Sequence, residues 1–154
     1  MLCIEQTRRI RVHYGYDSVP QSLRTGVSTM TSPASILLYG RDPQLLYTRR
    51  WVLERSGARV WTATDLSDFD QIALDEPIDL IILCHSLLME ECGRALALAS
   101  KRWPDSQSLV LTWGQSGSQP GFAGQIADAV RGPAFLLQTV AKLIGDEHAF
   151  ASHV

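Results

Sequence analysis

Cysteine is scarce in this sequence: Cys3, Cys84 and Cys92 are an odd number with no CxxC spacing, so they assemble neither a disulfide framework nor a zinc knuckle. Long apolar runs are missing as well. None is longer than that of Leu80 to Cys84, far short of the ~20 residues that span a bilayer. No secretory leader is expected, because Arg8, Arg9 and Arg11 precede the polar stretch His13 to Thr25 where an apolar segment would have to stand. Nor does one charge dominate: Lys+Arg 14 against Asp+Glu 16 leaves a net charge of −2, which argues against a nucleic-acid or anionic-membrane surface. Together these absences predict a cytoplasmic protein with no membrane span, no metal ligand cluster and no nucleic-acid partner.

What is present is enough for one packed domain. The chain has 154 residues, 45% of them hydrophobic and 19% charged, a balance that builds a core and is not that of a disordered chain. Residues 1–33 stand apart. They mix Arg, Ser, Thr and Gly, end in Thr31-Ser32-Pro33, and alternate like a strand only over Ile10 to Tyr14. Composition predicts a disordered or loosely attached extension over 1–33, a domain over 34–147 and a short tail over 148–154. Met30 stands just before the first strong strand and is an alternative start to Met1.

From Ser35 onward short apolar runs alternate with helical segments, the pattern of βα units on a parallel sheet. The predicted strands are Ile36–Tyr39, Arg59–Ala63, Ile78–Leu83, Ser108–Thr112 and Ala127–Val130. After the first strand Asp42 takes an N-cap position with Pro43 at N1; Leu45, Leu46, Val52 and Leu53 supply the buried stripe of the helix, and Gly57 ends it. A short second helix capped by Asp65 or Ser67 runs through Phe69, Ile72 and Ala73. The third, over Met89–Arg102, presents Leu88, Cys92, Leu96 and Ala99 on one face. A short fourth is expected around 122–126, and Pro133 opens the last, which carries Phe135, Leu136, Val140, Leu143 and Ile144. Five strands and about five helices make a small doubly wound α/β domain. In such sheets ligands bind beyond the carboxyl ends of the strands, here near Gly40, Cys84 and Thr112.

Over about Ala34 to Gly145 the chain resembles the receiver domains of bacterial two-component response regulators. The resemblance rests on Ile36-Leu-Leu-Tyr39 followed by Asp42-Pro43, on Asp79 to Cys84, on Leu109 to Thr112, and on Gly132-Pro133. It implies a flavodoxin-like three-layer sandwich with a five-stranded parallel sheet in the order 2-1-3-4-5. It also implies a phosphoryl-transfer pocket in which two acids after the first strand hold Mg²⁺, an aspartate ending the third strand accepts phosphate, and a lysine before proline pairs with the phosphoryl group. Here the acids fall on Gly40 and Arg41, the acceptor on Cys84 and the lysine on Gly132. Thr112, at the position of the phosphoryl-contacting hydroxyl, and Pro133 persist. Arg41 would place a guanidinium where the metal would sit, and Asp42 serves as a helix cap. The expected function is that of a stand-alone pseudo-receiver, a non-enzymatic protein-binding module without cofactor. Its partner would be a histidine kinase, an output protein or a second copy of the chain, as in a homodimer, met through a surface that includes His85, Ser86, Trp113 and Arg131.

Rival readings rest on single features. A flavodoxin-like enzyme or redox protein would use Cys84 or a bound cofactor, with His85 lowering the thiol pKa; the bland alternative is a small buried apolar residue. A third reading keeps the chain in a phosphorelay as a binder of phosphorylated partners. Gly114 to Gly121 lacks the Lys-Ser/Thr ending of a P-loop and reads as a flexible loop. Arg49 and Arg50 read as a solvated helix face, and Trp51, Trp61, Trp103 and Trp113 as core or edge packing.

Overall fold

The structure, a computed structural model, describes residues 32–114, 122 and 124–145. The expected extension up to residue 31, with Cys3, the Ile10–Tyr14 strand and the Met30 start, lies outside the described residues, as do the tail over 148–154 and most of the Gly/Ser loop.

Five parallel strands, β1 (Ser35–Tyr39), β2 (Arg59–Ala63), β3 (Leu80–Leu83), β4 (Gln107–Thr112) and β5 (Gln125–Asp128), form one sheet in the order β2-β1-β3-β4-β5. Three α-helices are described: α1 (Pro43–Arg55), α2 (Met89–Arg102) and α3 (Gly132–Ile144). β1 and β3 are buried along their whole length, as strands must be when both faces of a parallel sheet are covered. Successive side chains alternate faces. Ile36, Leu38, Leu80, Ile82 and Cys84 therefore join Leu46, Leu53, Leu136 and Val140 beneath α1 and α3. Leu37, Tyr39, Ile81 and Leu83 meet Phe69, Cys92, Ala95, Ala99 and Trp103 on the opposite face.

The helix signals in the sequence act as expected in α1. Asp42 caps it, accepting from the Gln44 and Leu45 N–H groups at 3.0 and 3.2 Å, and Gly57 leaves it at φ +96°, a conformation that favours glycine. Other expectations are corrected. The short helix after β2 is capped by Asp65 but is of 3-10 type and covers only Leu66–Gln71; Ile72 is already extended. Gln125 and Ile126 lie in β5, not in a helix over 122–126, and the strand ends at Asp128 because its carboxylate takes the Val130 N–H at 2.9 Å and starts a 3-10 turn, Ala129–Arg131. Leu88 is exposed: it is the N-cap of α2, and its N–H donates to Glu91 Oε2 at 2.8 Å. Trp51 is also exposed, with Arg55 stacked on it, whereas Trp103 is core.

With a six-residue 3-10 helix and no α-helix between β2 and β3, the connection is tied to α2 by side chains. Arg102 donates to Asp70 Oδ1 at 2.9 Å and to the Ile72 carbonyl at 2.7 Å, and Trp103 Nε1–H donates to the Glu76 carbonyl at 3.0 Å. Arg102→Met keeps the stem of the side chain and removes these donors. It is expected to cost about 1–2 kcal/mol, read as a lower urea midpoint with unchanged slope; an unchanged midpoint would show that the strap contributes nothing.

Candidate functional site at the carboxyl ends of the strands

β1 and β3 are neighbours although β2 lies between them in sequence, so the chain leaves them toward opposite sides of the sheet and opens a crevice where ligands bind in this class of fold. Gly40 and Cys84 face each other across it. A Cβ built on Gly40 would lie 2.8 Å from Cys84 Cβ and 3.1 Å from Ser86 Oγ, closer than real side chains approach. Glycine is needed here for the close approach of the two strand ends, and a carboxylate at this position has no room.

Arg41 turns away from the crevice. Its backbone N–H donates to Ser86 Oγ at 3.0 Å, while its guanidinium pairs with Glu91 of α2, Nε–H to Oε1 at 2.7 Å, on the exposed surface. The expected guanidinium in the metal position is therefore not Arg41. The cation that reaches the site is Arg49, which the sequence pattern assigns to a solvated face with Arg50. Arg50 does pair with Glu54 in the open, at 2.7 Å. Arg49, by contrast, is buried on the core-facing stripe of α1 with Leu46 and Leu53. The signal that could have found it is the spacing: position 49 stands three residues after Leu46 and four before Leu53, on the same face of a 3.6-residue helix.

Arg49 Nη2 donates to His85 Nδ1 at 3.1 Å. Since arginine has no acceptor, His85 carries its proton on Nε2. Burial, and then the Arg49 charge, pull the His85 pKa below its usual value, so the ring is neutral. Cys84 is 1% exposed; burial pushes its thiol up, and the nearby guanidinium offsets this only in part. A buried neutral thiol is a poor nucleophile, which removes the geometric support for the Cys84 enzyme reading. Cys92 is likewise buried, with its pKa raised.

On the far side of the crevice Thr112 ends β4, its hydroxyl donating to the Ala127 carbonyl at 3.5 Å. Trp113 follows, 69% exposed, with its ring 5.1 Å from that of His85. Gly132 has φ +84°, and a Cβ added there would meet nothing within 4 Å, so a lysine would have space but a strained backbone. Pro133 lies in the first turn of α3, and Arg131 stacks over Phe135 at 3.7 Å. The fold thus brings Gly40, Cys84, His85 and Ser86 together with the unanticipated Arg49, sends Arg41 outward, and sets Trp113, Arg131, Gly132 and Pro133 along one rim.

This donor set does not fit Mg²⁺, a hard cation that takes carboxylate oxygen. Gly40 and Cys84 supply none, Asp42 is engaged as a cap, and a guanidinium stands beside Cys84. Among the described residues no three His, Cys, Asp or Glu side chains gather as a metal set, and no helix is long and apolar enough to cross a membrane.

No family model matches the chain, and no curated protein matches it. Solved structures do. A response regulator from Thermotoga maritima superposes with TM-score 0.60 at 17% identity, over 73% of this chain and 98% of the other. A chemotaxis response regulator of Vibrio cholerae gives 0.58 at 18%, over 72% and 98%. The non-phosphorylated HemR receiver domain of Leptospira biflexa gives 0.59 at 24%, over 72% and 94%. The chain has the response-regulator receiver fold. The sheet order and flanking helices of this receiver fold are those the sequence resemblance implied.

Two outcomes test the geometry of this receiver-like crevice. Gly40→Ala is expected to destabilise by about 1–3 kcal/mol through overpacking against Cys84, measured by urea unfolding; a neutral result would show that the strand ends separate freely. The lowered His85 pKa has a defined sign: below pH 6.5, the ordinary value, the unfolded chain binds the proton more readily, so stability falls as pH drops through that value. Replacing His85 by Gln should flatten unfolding midpoints measured between about pH 7.5 and pH 5, and an unchanged slope would assign the effect elsewhere.

Proposed function

We propose that this chain is a pseudo-receiver, a protein-binding module of bacterial signal transduction that works without aspartyl phosphorylation. The observation that carries the reading is the replacement of every ionic part of a receiver pocket by a group of different chemistry. Gly40 is packed against Cys84, Arg41 is paired with Glu91, a neutral thiol sits at the acceptor position, and glycine stands before Pro133. Phosphoryl transfer needs a cation-bridged, charge-spreading site, and these residues offer a crevice with a guanidinium and no paired carboxylates instead. The receiver fold supports a regulatory role in general terms. The partner in this reading is a protein: a kinase, an output protein or a second copy of the chain. The exposed Trp113, Val130 and Arg131 on the rim suit such a contact, since aromatic and arginine side chains are favoured at interfaces.

Incubation with acetyl phosphate and Mg²⁺ should leave the intact mass unchanged; a stoichiometric gain of one phosphoryl group would overturn the proposal. Cys84→Asp is the sharper test. The new carboxylate would pair with the Arg49 guanidinium, which holds it ionised and leaves no second acid for the metal. Titration with Mg²⁺, followed by Trp fluorescence, should therefore show no saturable change, and millimolar saturable binding would mean that this crevice retains a metal site.

A further inference from the structure

Behind His85 and Trp113 lies a cavity of about 190 Å³ between α1, β4, β5 and α3, its wall mostly apolar. Leu45, Leu111, Phe135 and Leu136 line it, and Arg49 and His85 close one side. For scale, an engineered apolar cavity of about 150 Å³ holds benzene. Arg49 is 9% exposed, and its Nη1 is out of reach of solvent with no hydrogen-bond partner. Among the described residues no carboxylate forms an ion pair with it. A guanidinium does not deprotonate, and a buried charge left without a counter-charge is costly.

We propose that this cavity is a binding site for a small aryl carboxylate, with the carboxylate held by the Arg49 guanidinium and the ring among the apolar side chains. Among the described residues, the acids near the site already accept backbone hydrogen bonds. Asp42 Oδ1 takes two N–H groups at the start of α1, and Asp128 Oδ1 takes the Gly114 and Val130 N–H groups at 3.0 and 2.9 Å. Their charges also set the ligand class. One guanidinium in a largely apolar wall balances a monoanion and no more, and the carboxylate of Asp128 in the same wall repels the second charge of a phosphate dianion. The planar fork of arginine matches a carboxylate in two parallel hydrogen bonds. The absence of a side chain at Gly132, which also lines the cavity, leaves the space that the receiver lysine would fill.

The inference stands apart from the pseudo-receiver reading, since acetyl phosphate tests the one and benzoate the other. Benzoate is added to the full chain while Trp fluorescence and thermal unfolding are followed, with inorganic phosphate and benzyl alcohol as parallel arms. Benzoate should quench saturably and raise the Tm by about 5–10 °C at a hundredfold excess over Kd. Phosphate and benzyl alcohol should bind at least about tenfold more weakly, the ratio that one lost charge-assisted hydrogen bond gives. Arg49→Leu should abolish the benzoate effect. Should that variant fail to fold, Ala129→Phe, which fills the cavity from its wall and keeps the guanidinium, should do the same. The proposal is overturned by no saturable benzoate effect, by equal binding of benzyl alcohol, by tighter binding of phosphate, or by a benzoate response that survives in a folded variant.

Discussion

The guanidinium of Arg49, carried into the core by α1, is the constraint around which the carboxyl end of the sheet is arranged. A charge taken out of water needs either an opposite charge or a full set of hydrogen bonds, and here its neighbours are the neutral imidazole of His85 and the neutral thiol of Cys84. The same charge acts on its two neighbours in opposite senses. On His85 it adds to burial and drives the ring neutral; on Cys84 it favours the thiolate but is outweighed by burial. Both groups end neutral, so neither compensates the arginine.

Two glycines make this arrangement possible at opposite ends of the site. At Gly40 the missing Cβ lets Cys84 close on the end of β1, and the ladder continues across them: the Cys84 N–H donates to the Tyr39 carbonyl at 2.8 Å and the Gly40 N–H to the Ala63 carbonyl at 3.1 Å. At Gly132 the positive φ brings the chain into α3 with no side chain over the cavity. Neither position accepts the ionic residue of a working receiver without cost, one for lack of room and the other for backbone strain. A larger residue at 40 and a lysine at 132 are therefore disfavoured by the backbone path itself.

The sheet was legible because β1 and β3 are unbroken apolar runs bounded by turn residues, and parallel strands buried on both faces must look that way. The first helix was equally clear, since Asp42-Pro43 and Gly57 act locally. The segment after β2 was legible only as a short helix capped by Asp65; its 3-10 form and early end go with distant donors, Arg102 and Trp103, that hold the connection. β5 was displaced by two residues because Asp128 serves as a cap, a role its hydrogen bond decides and its neighbours do not announce. Within the site, the sequence reading put Gly40 and Cys84 at neighbouring strand ends, and the structure sets them face to face, whereas His85, read as a surface residue, also hydrogen-bonds inward to Arg49. Arg49 was missed because a charged residue was assigned to solvent by type, although its spacing from Leu46 and Leu53 put it on the buried stripe. Arg41 erred the other way: proximity in sequence placed it in the crevice, whereas Glu91 draws it out over α2.

The crevice and the rim expected to meet a partner share residues. His85 hydrogen-bonds Arg49 on one side and packs against the exposed Trp113 on the other, and Phe135, part of the cavity wall, carries Arg131 on its outer face. A group that neutralises Arg49 would relax the electrostatic pressure on His85, since part of its lowered pKa comes from that charge. The imidazole would then hold a proton more readily and change the surface beneath Trp113. In a working receiver the charge change that reaches this surface is covalent. Under the pseudo-receiver proposal, an occupant of the crevice would act on this surface only so far as its affinity differs between the two states of His85, because an equilibrium moves only by that difference.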